Sequence, residues 1–296
     1  MKAVPGELAA HLAQGETTTA RCWRVIRNDG VVLGFTDHDR ALLVEGTDCA
    51  PTFGLGGGEV PARLGAQVET GEVLGILDSA AIAEADILLG RYDGARVETW
   101  LVNWAAPEQK MLLRVDQIGE IVREDGLFRA ELRSPQQALN VTRGRLYQGL
   151  CDALVGDRRC GVNLELPGHK GAGTVLAVID PFQVLVSGLS GFEEGWFAFG
   201  TGRWGSGGRD GLTDAVLTHR RAPEGDLIGF ADKVGEWVAV DDILTLHVGC
   251  DRRFSTCKAR FGNSVNFRGF PHVPGSDYLL RHPRRGDALD GKAVVP

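Results

Sequence analysis

The sequence predicts a mainly β protein of the α+β class, in which one β-rich domain is followed by a second. Glycine is abundant, with 41 of 296 residues, as expected where many turns join short strands. Stretches that alternate apolar and polar residues flank hairpin signals at Asn28-Asp29-Gly30 and Asp125-Gly126, and such Asp-Gly pairs favour tight hairpin loops. Helical patterns are few, so the order of elements is not that of an α/β fold.

Residues 1–145 are predicted to form the first domain. A short helix is expected at 3–14, because Pro5 suits a first helical turn, and a second at 79–89, which Ser79 can cap and Gly90 can end. Strand-like patterns occur at 17–26, 31–35, 67–77, 96–104, 110–123 and, beyond the Asp125-Gly126 turn, up to 133. The run Gly54–Gly58 lacks the Lys-Ser/Thr ending of a phosphate-binding loop and is predicted to be a flexible loop.

Residues 146–296 are predicted to form the second domain. Segment 202–211 is predicted to be a mobile loop, and 263–277 a wrapped loop because Pro271 and Pro274 exclude a helix. The polar tail after Leu280, with a basic segment at 281–285, is expected to be exposed or to contact another subunit. Strands are expected at 173–180, 182–187, the aromatic run 195–200, 224–230 and 236–240.

Composition and charge exclude several classes of function. The net charge is −7, which makes free nucleic acid a poor partner for the surface as a whole. The sequence contains no apolar run near the roughly 20 residues that a membrane span needs, and its first residues lack the apolar core of a secretory signal. We therefore expect folding in the cytoplasm, where disulfides are rare and clustered cysteines favour metal or redox chemistry.

Four of the six cysteines form two close pairs. Cys151 and Cys160 enclose eight residues, and Cys250 and Cys257 enclose six. Each pair is predicted to lie in a loop beside regular structure, so that folding can close both pairs over one metal site. The other two stand alone: Cys22 is predicted to be a packed, inert thiol, and Cys49 is given no role.

Three interpretations of the four-cysteine set remain open from spacing alone. A 4Fe–4S cluster takes four thiolates at varied spacing. A structural zinc site also takes four, but usually from tighter Cys-x2–4-Cys pairs. Two disulfides would be unusual in a cytoplasmic protein. The four thiols therefore favour a metal site without deciding which metal it holds.

Asp37, His38 and Asp39 form a second candidate cluster. They could ligate a hard cation or act as an acid–base pair. Neighbouring side chains of a strand point to opposite faces, so the three converge only if the chain turns. We therefore favour a polar turn that ends the first hairpin, with carboxylates that accept hydrogen bonds from backbone N–H groups.

The sequence also resembles a known family. Asn266-Phe-Arg-Gly-Phe-Pro271 follows the last cysteine, and the opening contains Cys22-Trp-Arg and Gly34-Phe-Thr-Asp-His-Asp39. With the two cysteine pairs, these motifs resemble the tail-tip hub proteins of long-tailed phages and gene transfer agents, a family that includes the phage lambda minor tail protein L. The resemblance spans almost the whole chain.

The resemblance implies a structural role without catalysis. It implies a 4Fe–4S cluster on Cys151, Cys160, Cys250 and Cys257, with zinc as the alternative, that ties the two cysteine segments together. We expect Arg158, Arg159, Arg252 and Arg253 to offset the negative charge of the cluster, and Phe261, Phe267 and Phe270 to cover it.

The resemblance also implies a location and partners. The protein would be assembled in the host cytoplasm and would reside in the tail tip of the virion as a homotrimer. It would join the distal tail protein to the tip or fibre protein and a tail peptidase, and DNA would pass its lumen without specific binding. The alternatives are a soluble iron–sulfur oxidoreductase and a zinc-stapled cell-wall hydrolase of the tail.

Overall fold

The computed structural model describes residues 3–51, 56–57, 70–76, 82–124, 127–139 and 144–273. The chain separates into two compact units, Met1–Arg143 and Gly144–Pro296, called here the N-terminal and C-terminal units. Both are built mainly from strands, which confirms the predicted mainly β, α+β class. The functional domain limits 1–145 and 146–296 stay a prediction. Ser79, Asp125, Gly126 and the tail from 274 lie outside the described residues.

The described part of the N-terminal unit is built on one nine-stranded sheet. Its described strands are in the order β3-β4-β2-β1-β7-β8-β9-β6-β5. Gly30 has φ +88° in the turn between β1 and β2, as the predicted hairpin requires. The elements are α1 Gly6–Leu12, β1 Thr19–Ile26, β2 Val32–Thr36, β3 Leu42–Val44, β4 Thr47–Pro51, β5 Gly56–Gly57, β6 Thr70–Ile76, α2 Glu84–Leu88, β7 Arg96–Asn103, β8 Lys110–Glu124, β9 Leu127–Arg133 and a 3-10 turn Pro135–Leu139.

Two apolar clusters fill this unit. One surrounds Trp23 and Phe35, and the other surrounds Cys22 and Cys49. Helix α2 ends at Leu88 with Leu89 as its C-cap, and Gly90, the predicted stop, follows with φ +68°. Gly56–Gly57 pairs with β6, so the prediction of a flexible loop was wrong for these two residues.

The C-terminal unit contains a closed barrel. Within residues 144–273 its six strands follow the order β10-β11-β14-β13-β12-β15, and β15 pairs back onto β10. The elements are β10 Lys170–Asp180, β11 Gln183–Ser187, β12 Thr201–Trp204, β13 Thr213–Ala222, β14 Gly225–Phe230, a 3-10 turn Gly235–Trp237, β15 Ile243–His247, α3 Phe254–Phe261 and a 3-10 turn Ser264–Asn266.

Three predictions for this unit were wrong. The aromatic run 195–200 forms turns rather than a strand, although Phe197 is fully buried in the barrel core. Segment 236–240 contains part of a 3-10 turn rather than a strand. Segment 202–211 is not a free loop: it includes most of β12, and the buried Arg209 side chain donates to Asp214 at 2.6 Å.

Candidate metal centre

Closure of the barrel brings the two cysteine segments together. The first cysteine pair precedes β10 and the second follows β15, and these two strands pair with Lys170 opposite His247. The backbone N–H of Val248 donates to His169 O at 2.8 Å, which extends the pairing beyond both strands. Because β10 and β15 are antiparallel, the entry to the barrel lies beside its exit. The segments on either side of the barrel in sequence therefore share one end of it.

Asp157 shapes the loop between Cys151 and Cys160. Its carboxylate accepts hydrogen bonds from the backbone N–H of Leu154 at 3.0 Å, Arg159 at 2.8 Å and Cys160 at 2.6 Å. Burial acts to raise the pKa of the Asp157 carboxyl, but the three N–H donors outweigh it and the net pKa is lowered. The ionised carboxylate thus holds the loop in the shape that presents Cys160.

Protonation of Asp157 is expected to loosen this loop. The folded-state pKa lies below the usual value of 3.8, so the stabilisation is complete above about pH 4 and is lost as pH falls through the folded value. Asp157→Asn keeps an acceptor oxygen but does not titrate. Melting curves between about pH 5 and pH 3 should therefore show a larger loss of stability in the wild type than in the variant. Equal acid sensitivity of the two proteins would contradict this role.

Cys250 precedes helix α3, and Cys257 lies inside it. Arg252 has φ +64°, and its backbone N–H points back at Cys250 Sγ at 3.4 Å. Helix α3 then begins at Phe254 and ends before Gly262, a left-handed C-cap with φ +58°. Cys257 therefore lies in a helix, and the prediction that both members of this pair lie in a loop was wrong for it.

Hydrogen bonds join the segments that carry the two cysteine pairs. The backbone N–H of Cys151 donates to Arg252 O at 2.9 Å, beside Cys250. Asn263 joins the other two cysteines: its side-chain amide donates to Cys160 O at 2.7 Å, and its carbonyl accepts from Cys257 Sγ at 3.3 Å. Contacts between residues about 100 positions apart thus place all four thiols in one region.

Electrostatics supports the same arrangement. Burial, together with the fields of Cys250, Cys151 and Cys160, raises the pKa of the Cys257 thiol to about 11. Burial also raises the pKa of Cys250, with smaller contributions from Asp251, Cys160 and Cys151. Four thiolates this close would repel one another, so they need a cation between them to be stable together.

N–H groups point at three of the sulfurs. Arg268 N donates to Cys151 Sγ at 3.4 Å, as Arg252 N does to Cys250, and the Asn263 amide lies 3.8 Å from Cys160 Sγ. Such donors stabilise thiolate ligands. The sequence analysis did not identify Asn263 or Arg268 as site residues, although Arg268 lies in the Asn266–Pro271 motif.

Two of the arginines beside the cysteines form ion pairs. The guanidinium of Arg159 binds Asp152 at 3.2 Å, and Arg253 is exposed with Asp251 at 3.8 Å. The backbone N–H of Arg252 points at the Cys250 sulfur. That the four arginines offset the negative charge of a bound cluster stays a prediction.

Each of the three phenylalanines that were predicted to cover the cluster packs on another aromatic ring. Phe267 packs on Phe254 with ring centroids 5.0 Å apart, and Phe270 packs on Tyr147 at 4.5 Å. Phe261 packs on His169 at 5.8 Å. That these rings exclude water from a bound group stays a prediction.

Asp37, His38 and Asp39 form the predicted polar turn. The carboxylate of Asp37 accepts the backbone N–H of Arg21 at 2.7 Å, and His38 Nδ1 accepts that of Arg40 at 3.0 Å. Among the residues that the structure describes, no three His, Cys, Asp or Glu side chains are arranged to hold a metal ion. The turn thus satisfies backbone groups at the end of β2.

Comparison with known proteins identifies the family. Residues 5–163 match the family model of the baseplate hub protein, N-terminal attachment domain, which is more than half of the chain. The chain belongs to the baseplate hub protein family. This confirms the family that the sequence motifs indicated. The hub protein is accordingly a structural protein of a phage-type tail and a component of the virion.

Two further comparisons cover the rest of the hub protein. Residues 195–277, with the second cysteine pair, match the phage conserved hypothetical protein BR0599 family. One chain of the virion of a native gene transfer agent particle has 39% sequence identity and a TM-score of 0.90, over 97% of this chain and 99% of that chain. The search of curated proteins found no match. In the described parts of the hub protein, no helix is long and apolar enough to cross a membrane.

Proposed function

We propose that this protein is the tail-tip hub of a gene-transfer-agent or phage particle. In this role it forms a homotrimer and links the distal tail protein to the tip or fibre protein and a tail peptidase, with DNA passing its lumen. The observation that carries the proposal is the full-length similarity to a chain of a gene transfer agent virion, at 39% identity. The role is structural and involves no catalysis.

We infer further that Cys151, Cys160, Cys250 and Cys257 hold a 4Fe–4S cluster. The donor set suits it, because all four thiols are free and N–H groups point at three of the sulfurs. The spacings of eight and six residues are looser than the Cys-x2–4-Cys pairs that are usual for structural zinc. A 4Fe–4S cluster takes four thiolates at varied spacing.

The cluster would act as a staple in the C-terminal unit. It would supply four metal–sulfur bonds that join the loop 151–160 to the segment 250–257, across the end of the barrel. Outside those bonds, hydrogen bonds such as that from Cys151 N to Arg252 O hold the two segments together. Because metal binding to the folded state stabilises that state, the staple would contribute directly to folding.

An anaerobic preparation tests the metal. The visible absorption spectrum should show a brown protein, with iron and labile sulfide in matching amounts. One zinc per chain in a colourless protein would replace the cluster by a zinc staple. A protein that contains neither iron nor zinc would refute a metal centre. A reversible redox wave together with a bound organic cofactor would instead favour an oxidoreductase.

Mass measurement and binding test the assembly independently of the metal. The purified protein alone should have a mass that corresponds to three hub chains, and the addition of the distal tail protein should give a complex whose mass is larger by that of the bound protein. A monomer that fails to bind the distal tail protein would refute the linking role, whatever metal it contains.

A further inference from the structure

A second pair of cysteines meets in the N-terminal unit. Cys22 on β1 and Cys49 on β4 were predicted to be an inert thiol and a residue without a role. Both are fully buried, and both belong to one apolar cluster that includes Val44 and Val102. Fully buried thiols usually behave as small apolar side chains, but these two lie next to each other.

Gly34 allows the two strands to approach. β2 lies between β1 and β4 in the sheet, yet Cα atoms of β1 and β4 come within 8 Å of each other. A Cβ atom on Gly34 would lie 2.9 Å from Cys49 Cα and 2.6 Å from Asp48 O. A side chain at residue 34 would therefore collide with the β4 backbone at Cys49, so the glycine allows this close approach.

The two thiols have different surroundings. Cys22 Sγ donates to Thr36 Oγ1 at 3.5 Å, and Thr36 uses its own hydroxyl proton for Arg21 O at 2.9 Å. Cys49 Sγ donates to Thr47 O at 3.8 Å. The interaction between the two thiols lowers the pKa of Cys22 and raises that of Cys49, which burial also raises. Cys22 is thus the thiol that ionises first.

We propose that Cys22 and Cys49 form a disulfide when the particle meets a small peroxide after release from the reducing host cytoplasm. The Cys22 thiolate attacks hydrogen peroxide, the O–O bond breaks, and hydroxide leaves a sulfenic acid on Cys22. The Cys49 sulfur then attacks the Cys22 sulfur, the S–O bond breaks, and water leaves with the Cys49 proton. Two thiols and one hydrogen peroxide give one disulfide and two waters.

The disulfide would fix the edge of the sheet. β3 and β4 form the hairpin at one edge, and the new bond would join β4 to β1 and close the loop of residues 23–48. Closing such a loop restricts the unfolded chain. We expect the melting temperature of the N-terminal unit to rise by roughly 5–15 °C. Because both thiols are buried, a small peroxide should react faster than oxidised glutathione.

The test uses the full chain, folded and treated with hydrogen peroxide. Remaining thiols are then alkylated in denaturant, and the protein is digested without reductant for mass spectrometry. The expected result is a Cys22–Cys49 cross-linked peptide that lacks two hydrogen atoms and is cleaved by dithiothreitol, together with the higher melting temperature. Cys49→Ser should show neither change, and the same holds for Cys22→Ser.

Other outcomes would overturn the proposal. The proposal is overturned if Cys22 and Cys49 can still be alkylated after peroxide treatment. It is also overturned if the cross-link forms only in denatured protein, or if it joins either residue to a different cysteine. If Cys49→Ser fails to fold, Cys49→Ala serves as the control, since it adds no buried hydroxyl. The peptide map of the wild type decides the question without either variant.

Discussion

Cys250→Ser is expected to abolish iron binding and to lower the melting temperature of the C-terminal unit by about 10 °C, because a metal that binds only the folded state stabilises it by mass action. A serine hydroxyl remains protonated near neutral pH and is a poor substitute for a thiolate ligand. The substitution would also remove the sulfur that accepts the Arg252 N–H. The N-terminal unit has its own sheet and core, so its melting should not change.

Iron analysis and calorimetry measure this result, and hydrogen exchange assigns each transition to a unit. Ser255→Ala is the matched control, because Ser255 is exposed on α3, the helix that follows Cys250. That control should retain iron and melt like the wild type. A Cys250→Ser protein with full iron content and unchanged stability would refute the four-cysteine staple.

Much of the N-terminal sheet was predictable because its signals are local. The turn at Gly30 fixes the register of β1 and β2, with Cys22 opposite Thr36, and a tight turn leaves few other registers. The prediction of a strand at the aromatic run 195–200 was wrong for a physical reason. Apolar residues enter a core from turns as well as from strands, and Phe197 does so by packing on Phe192 at 4.8 Å.

The candidate centre was predictable only as far as its cysteines. Spacing identifies Cys151, Cys160, Cys250 and Cys257, because ligand pairs are short-range patterns. The N–H donors could not be found in this way, since Arg268 meets Cys151 across 117 positions. That Cys22 and Cys49 share one cluster was missed for the same reason: it depends on the close approach of β4 to a glycine of β2.

Gly269→Ala is the substitution that tests the role of the motif Asn266–Pro271. A Cβ atom on Gly269 would lie 2.6 Å from the carbonyl carbon and oxygen of Leu150, which are backbone atoms that cannot rotate away. Gly269 also lies between two contacts of this segment, from Arg268 N to Cys151 Sγ at 3.4 Å and from Phe270 N to Gln148 O at 2.9 Å. The shift that relieves the clash must disturb both.

We expect Gly269→Ala to destabilise the C-terminal unit by about 1–3 kcal/mol, the usual cost of overpacking, and to speed the loss of iron to a chelator. Gly191→Ala is the control, because no atom lies within 4 Å of its Cβ position. Replacing an unstrained glycine restricts the unfolded chain, so this control should be neutral or slightly stabilising. Denaturant unfolding measures the change in the free energy of unfolding for each variant. Changes of opposite sign would show that the motif requires glycine for its approach to Leu150. Equal changes would exclude that explanation.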